Sequence, residues 1–179
     1  MEFFAKMRGA GKDAPPRVPL REMALGFTGA LLGMVGMGLA QKHLADPADL
    51  LVLSGPFAAT AVLLFGTPKS PLAQPRNVLG GHVLSALVGV CANLALPGLP
   101  WLAGALAVAV AIALMHATKT LHPPGGATAF LAVAGGAKLT ALGFGYVLAP
   151  SAAGALLLVG LALVINNLLP GRRYPEFWF

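Results

Sequence analysis

The chain has 179 residues, of which 57% are hydrophobic and 10% charged, with a formal net charge of +6 and a mean hydropathy of +0.79. So little polar surface excludes an ordinary water-soluble globule and points to an integral membrane protein whose solvent is the lipid bilayer. The one cysteine, Cys91, excludes an internal disulfide and a Cys-based metal site, and it reads as a small packing residue.

The chain opens with "MEFFAKMRGAGKDAPPRVPLR", a basic, Pro-rich stretch without the apolar run of a cleavable signal peptide, and residues 1–21 read as a cytoplasmic arm. Residues 23–40 then form an apolar run long enough to cross a bilayer at about 1.5 Å of rise per residue. Residues 50–66 are weaker, interrupted by Ser54, Gly55 and Pro56. Residues 78–96 and, with their flanks, 101–115 are again of spanning length. Residues 123–137 are the second weak segment, because a helix there can start only after Pro123 and Pro124. Residues 143–169 form the last full span, and 170–179 a cytoplasmic tail. Helix is disfavoured just before proline and favoured just after it, so each weak segment is expected to begin at its proline as a short helix. The fold class is all-α and polytopic, in one transmembrane domain over residues 22–169.

Whether the two short segments cross or re-enter can be weighed by charge. With six crossings and a cytoplasmic N-terminus, ten Lys and Arg lie inside and only Lys42 and Lys138 outside. With four spans and two re-entrant segments, Lys69, Arg76 and Lys119 move outside and the split becomes seven against five. The positive-inside rule favours six crossings, and both arrangements leave both termini in the cytoplasm of a bacterial-type inner membrane.

The short segments also resemble each other. "PFAATA" from Pro56 aligns with "PGGATA" from Pro124, which sets Thr60 opposite Thr128. The long helix after each closes on a similar phrase, "ANLALPG" and "INNLLPG". The chain is expected to hold two three-helix units, about 22–97 and about 100–169, the second inverted if each unit crosses three times; the plainer alternative is chance coincidence of short Ala/Gly/Pro-rich phrases in a low-diversity sequence.

In such a repeat the short helices approach from opposite faces and their N-termini converge near the midplane. Open N–H groups at two positive dipole ends, with Gly125 and Gly126 leaving room for approach, would suit a small anion. The plainer alternative is that the glycines only allow close helix packing. All six acidic residues lie in the arms, a loop or the entrance of a span, whereas cation pathways usually need a buried carboxylate. His82 and His116 sit inside apolar runs, and Lys119 and His122 stand at the second break. His116, near the end of its span, fits an interfacial position. His82 is weighed as pathway residue against helix-to-helix hydrogen bond. Ser54 and Gly55 at the first break and Asn77 ahead of His82 complete the candidate pathway with Thr60, Thr128, Lys119 and His122.

"LHPPGGATA", "SPLAQPRNVLGGH" and "GPFAATAVLLF" together resemble the HPP family of integral membrane proteins, over roughly residues 21–169. The family is usually described with four spans. Chloroplast and cyanobacterial members are linked to nitrite transport, so the resemblance implies a small-inorganic-anion transporter or channel, with nitrite as substrate by family inference. An enzyme is not expected, because no nucleophile–base or paired-carboxylate set has convincing spacing, and no cofactor is expected either. Nucleic acid is excluded as a partner because the basic charge follows topology. The rival class is a non-transporting membrane scaffold or assembly partner, for which the GxxxG of Gly29 and Gly33 offers an association motif within a protomer or in a homo-oligomer.

Overall fold

The computed structural model describes residues 2–7, 14, 16–41 and 55–179. Ser54, Lys42, Asp46, Asp49 and the start of the second apolar segment lie outside the described residues. Regular structure in the described residues is helical throughout: α1 (Leu20–Gln41), α2 (Gly55–Gly66), α3 (Pro75–Ala95), α4 (Pro100–Ala117), α5 (Pro124–Ala134) and α6 (Val147–Leu168), with one-turn helices at Glu2–Lys6 and Ala137–Ala141.

Four of these, α1, α3, α4 and α6, are 18 to 22 residues long and apolar enough to cross a bilayer. At about 1.5 Å per residue they reach roughly 27–33 Å, against a hydrocarbon core of about 30 Å. The 11-residue α5 reaches about half that depth. Prolines set the starts: α3, α4 and α5 each carry one in the first turn, where its missing N–H costs nothing. The last span starts at Val147 rather than at 143. Gly143 takes a left-handed φ of 50°, which ends the preceding turn, and Pro150 kinks the first turn of α6 at Ala149.

The helices pack crosswise between the first and second halves of the chain. α3 lies against α4 and α5, while α6 lies against α1 and the end of α2. Ala103, Ala107 and Ala111, four residues apart on α4, are wholly buried with Met115, Ala129 and Val133. Such small residues let backbones approach closely where lipid gives no hydrophobic drive to association. A larger core gathers Met37 of α1, Phe57, Leu64 and Phe65 of α2, and Ala155, Leu158 and Ala162 of α6.

Gly29 and Gly33 meet Phe65 of α2. A methyl group on Gly33 would stand 2.5 Å from Phe65 Cε2, and one on Gly29 would stand 2.7 Å from Phe65 Cδ1. The GxxxG notch therefore seats the Phe65 ring within the chain.

Candidate functional site

Two threonines and two histidines meet where α2, α3 and α5 come together. Thr60 lies on α2 four residues after Pro56, and Thr128 on α5 four residues after Pro124, so each hydroxyl also reaches the carbonyl of its proline, at 3.0 Å and 3.4 Å. His82 on α3 stands between them. Its Nε2 is 2.8 Å from Thr60 Oγ1 and its Nδ1 is 2.7 Å from Thr128 Oγ1. His122, just before α5, brings Nε2 to 2.9 Å from the same Thr60 hydroxyl, while its Nδ1 donates to the Leu72 carbonyl at 2.8 Å. Thr60, His82 and His122 are fully buried, and Thr128 is 2% exposed.

Local sequence explains this closeness. Gly81 faces His122, where a Cβ would come 2.5 Å from His122 Cβ, so the residue preceding His82 must be glycine for the two imidazoles to share one hydroxyl. Gly125 rests on the same face of α3, 2.7 Å from Ser85 Oγ and 2.9 Å from the Gly81 carbonyl at its would-be Cβ. Phe57 packs on His82 with ring centroids 5.1 Å apart, and the Tyr146 hydroxyl donates to the Thr128 carbonyl at 3.1 Å.

The cluster thus brings together Thr60, His82, His122 and Thr128, with Gly125 as a packing contact. Asn77 borders it, its side-chain amide donating to the Leu121 carbonyl at 2.9 Å. Gly126 is half-buried and its would-be Cβ meets only Val108, at 3.8 Å. The amides of Gly125 and Gly126 donate to the His122 and Pro123 carbonyls at 2.8 and 3.0 Å, so the first turn of α5 has closed its own N–H groups. Gly55 and Lys119 are exposed and stand away from the cluster, as does His116. Among the described residues no three of His, Cys, Asp or Glu gather as a metal-ion set.

A second polar feature carried no signal in the sequence. The Arg172 side chain is 3% exposed; its Nη1 donates to the Phe65 carbonyl at 2.8 Å and to Asn166 Oδ1 at 3.2 Å, and its Nη2 pairs with Glu22 at 3.2 Å. A cation thus closes the C-terminal end of α2, where carbonyls lack helical partners. Beyond it, the Tyr174 hydroxyl donates to the Ala73 carbonyl at 2.8 Å, and the Glu176 amide donates to Gln74 Oε1 at 2.8 Å. The tail holds residues 67–74 in place, and with them the Leu72 carbonyl that fixes His122. A cleft of about 450 Å³ opens here, lined by Lys69, Ser70, Arg172 and Arg173 among others.

The model of the family described as "HPP, transmembrane region" matches residues 15–175. The chain belongs to the HPP transmembrane family. The His-Pro-Pro of this chain's LHPPGGATA motif is His122, Pro123 and Pro124, and its histidine is the one bonded to Thr60 and Leu72. Two relatives from Dictyostelium discoideum, both described as transmembrane proteins, are 41% and 43% identical over the whole of this chain. The chain spans 58% and 64% of their lengths. No solved structure matches this HPP chain. It is a multi-pass membrane protein.

Proposed function

We propose that the chain is a transporter or channel for a small inorganic anion, with nitrite as the first candidate, and that permeation passes the Thr60–His82–Thr128–His122 cluster. The observation that supports this reading is a wholly buried set of hydroxyls and imidazoles in a bundle with no Asp or Glu between Asp49 and Glu176. Hydroxyl and imidazole N–H groups can donate to an anion, whereas a cation pathway would want an acidic side chain. The Lys69, Arg172 and Arg173 cleft supplies positive potential at one mouth.

The two units are read as inverted repeats whose short helices converge on His82, the third helix of each unit packing on the other unit. Thr60 and Thr128, at one register in α2 and α5, are the repeat-related pair. Both termini are read as cytoplasmic, in a bacterial-type inner membrane, and the ten-to-two charge split that six crossings would give supports the orientation. No catalytic role is assigned, since the cluster's hydroxyls and imidazoles lack an oriented nucleophile with a free approach. A homo-oligomer would use the outward face of α1, where Phe27, Leu31 and Val35 are exposed.

Uptake into proteoliposomes tests the reading. Nitrite should enter well above the rate in protein-free vesicles, potassium should not, and Thr60→Val should reduce nitrite entry. Nitrite uptake no faster than in empty vesicles would leave the non-transporting scaffold as the better account.

A further inference from the structure

The proton positions in the Thr–His cluster follow from one fixed point. The Leu72 carbonyl only accepts, so His122 Nδ1 carries a proton. If His122 is neutral, its Nε2 is a lone pair and Thr60 donates to it. Thr60 Oγ1 in turn accepts from His82 Nε2–H, which leaves His82 Nδ1 to accept from Thr128. With both imidazoles neutral, this single assignment satisfies all four contacts. The donors run one way, from Thr128 through His82, Thr60 and His122 to Leu72.

Such a run has a second satisfied state, reached by adding one proton. Among the described residues His82 and His122 are the buried imidazoles, so a proton added to the cluster puts a positive charge inside the bundle. Tyr146 is the titratable group that reaches the cluster from another element, through the Thr128 carbonyl. Among the described residues no Lys, Arg, Asp or Glu bonds to either imidazole, and His116 and Lys119 are exposed. A bare anion in so apolar a place carries a large desolvation cost, and a positive charge hydrogen-bonded beside it offsets part of that cost.

We propose that the cluster is a proton-binding relay and that the chain carries one proton with each monovalent anion, as a symporter; this rests on the transport reading above. Loading takes a proton from water on the side of anion entrance and forms an N–H bond at His82 Nδ1, as Thr128 turns its hydroxyl to the Pro124 carbonyl, 3.4 Å away. The charge then passes to His122: His82 Nε2–H breaks as Thr60 O–H forms, and the former Thr60 proton becomes His122 Nε2–H. One N–H and one O–H bond are broken and one of each is made. His122 cannot give its Nδ1 proton to a carbonyl, so discharge needs this imidazole to leave Leu72, and the proton moves on only when residues 67–74 move. Coupling without leak follows.

Proteoliposomes carrying the full chain, with internal pH and anion both followed, test this. Nitrite is the first probe, protein-free vesicles serve to subtract leak of its conjugate acid, and nitrate, whose acid is strong, is the second. Acid outside should drive accumulation of either transported anion up to about tenfold per unit of pH difference, the ratio that one proton per anion sets, with matching proton entrance. Thr60→Val should lose the gradient-driven accumulation and Thr60→Ser should keep it. Anion entrance that ignores the gradient and moves no protons overturns the relay while leaving transport intact. No anion entrance above empty vesicles overturns both. Should Thr60→Val fail to fold, the proton-to-anion ratio of the parent decides.

Discussion

Thr60 and Thr128 hold opposite ring nitrogens of one imidazole, that of His82, each from the fourth position after the proline of its own short helix. The two hydroxyls are nevertheless unequal, because Thr60 also serves His122.

The inequality predicts an order of stabilities. Thr128→Val leaves one buried nitrogen without its partner, at about 1–3 kcal/mol, and Thr60→Val leaves two, at up to about twice that. Thr60→Ser should stay close to the parent. Thermal unfolding in detergent measures the order, and a Thr128→Val loss equal to that of Thr60→Val would contradict the shared hydroxyl.

The neighbouring glycines of the second break should respond in opposite ways. Gly126→Ala adds a methyl that meets only Val108 at 3.8 Å, and it should fold with a gain of up to about 1 kcal/mol in helix propensity. Gly125→Ala meets the Gly81 carbonyl at 2.9 Å, a backbone atom that cannot step aside, and should lose about 1–3 kcal/mol. If the folded Gly126→Ala protein also transports nitrite like the parent, this glycine has no part in anion passage. The same melting assay ranks the pair, and equal effects would mean that α5 does not rest on α3 as described.

Gly33 and Phe65 should be energetically coupled. Gly33→Ala pushes a methyl to 2.5 Å from the Phe65 ring and should cost about 1–3 kcal/mol, part of which Phe65→Leu restores in the double variant. Oligomeric state measured by light scattering should not follow the Gly33 change. A Gly33→Ala protein that keeps its stability but loses an oligomer would return the GxxxG to an interface between protomers.

Topology can be read at Lys69, an exposed residue at the cleft. In a background without Cys91, itself exposed on α3, Lys69→Cys should react with an impermeant thiol reagent only from the cytoplasmic side. Labelling from outside would make the short helices re-entrant and the chain four-spanning.

Much of this was legible in the sequence because proline and polar residues are conspicuous in apolar runs. Pro123 and Pro124 gave the start of α5 to within a residue, whereas α3 begins at Pro75, three residues before the expected 78; the alignment of the two short segments picked out Thr60 and Thr128, and His82 and His122 stood out as ionisable groups in an apolar run and at a break. What escaped was whatever backbone carries. The Leu72 carbonyl anchors His122, yet a carbonyl has no residue type to betray it. Arg172 looked like one more cytoplasmic charge, since a topological count treats a buried guanidinium and a solvated one alike. Gly29 and Gly33 announced close approach but not the partner, because a notch for Phe65 and a notch for another helix need the same missing side chain.

The crosswise packing of the long helices has a consequence for how the chain is made. α1 and α2 leave the ribosome before α6, and although Phe65 already has its notch at Gly29 and Gly33, Phe57 and Leu64 meet Ala155, Leu158 and Ala162 only once α6 is made. Through most of its biosynthesis the first half of the protein therefore waits in the bilayer with one side unmatched. Arrival of the final helix, followed by Arg172 locking onto Glu22, finishes both halves at once.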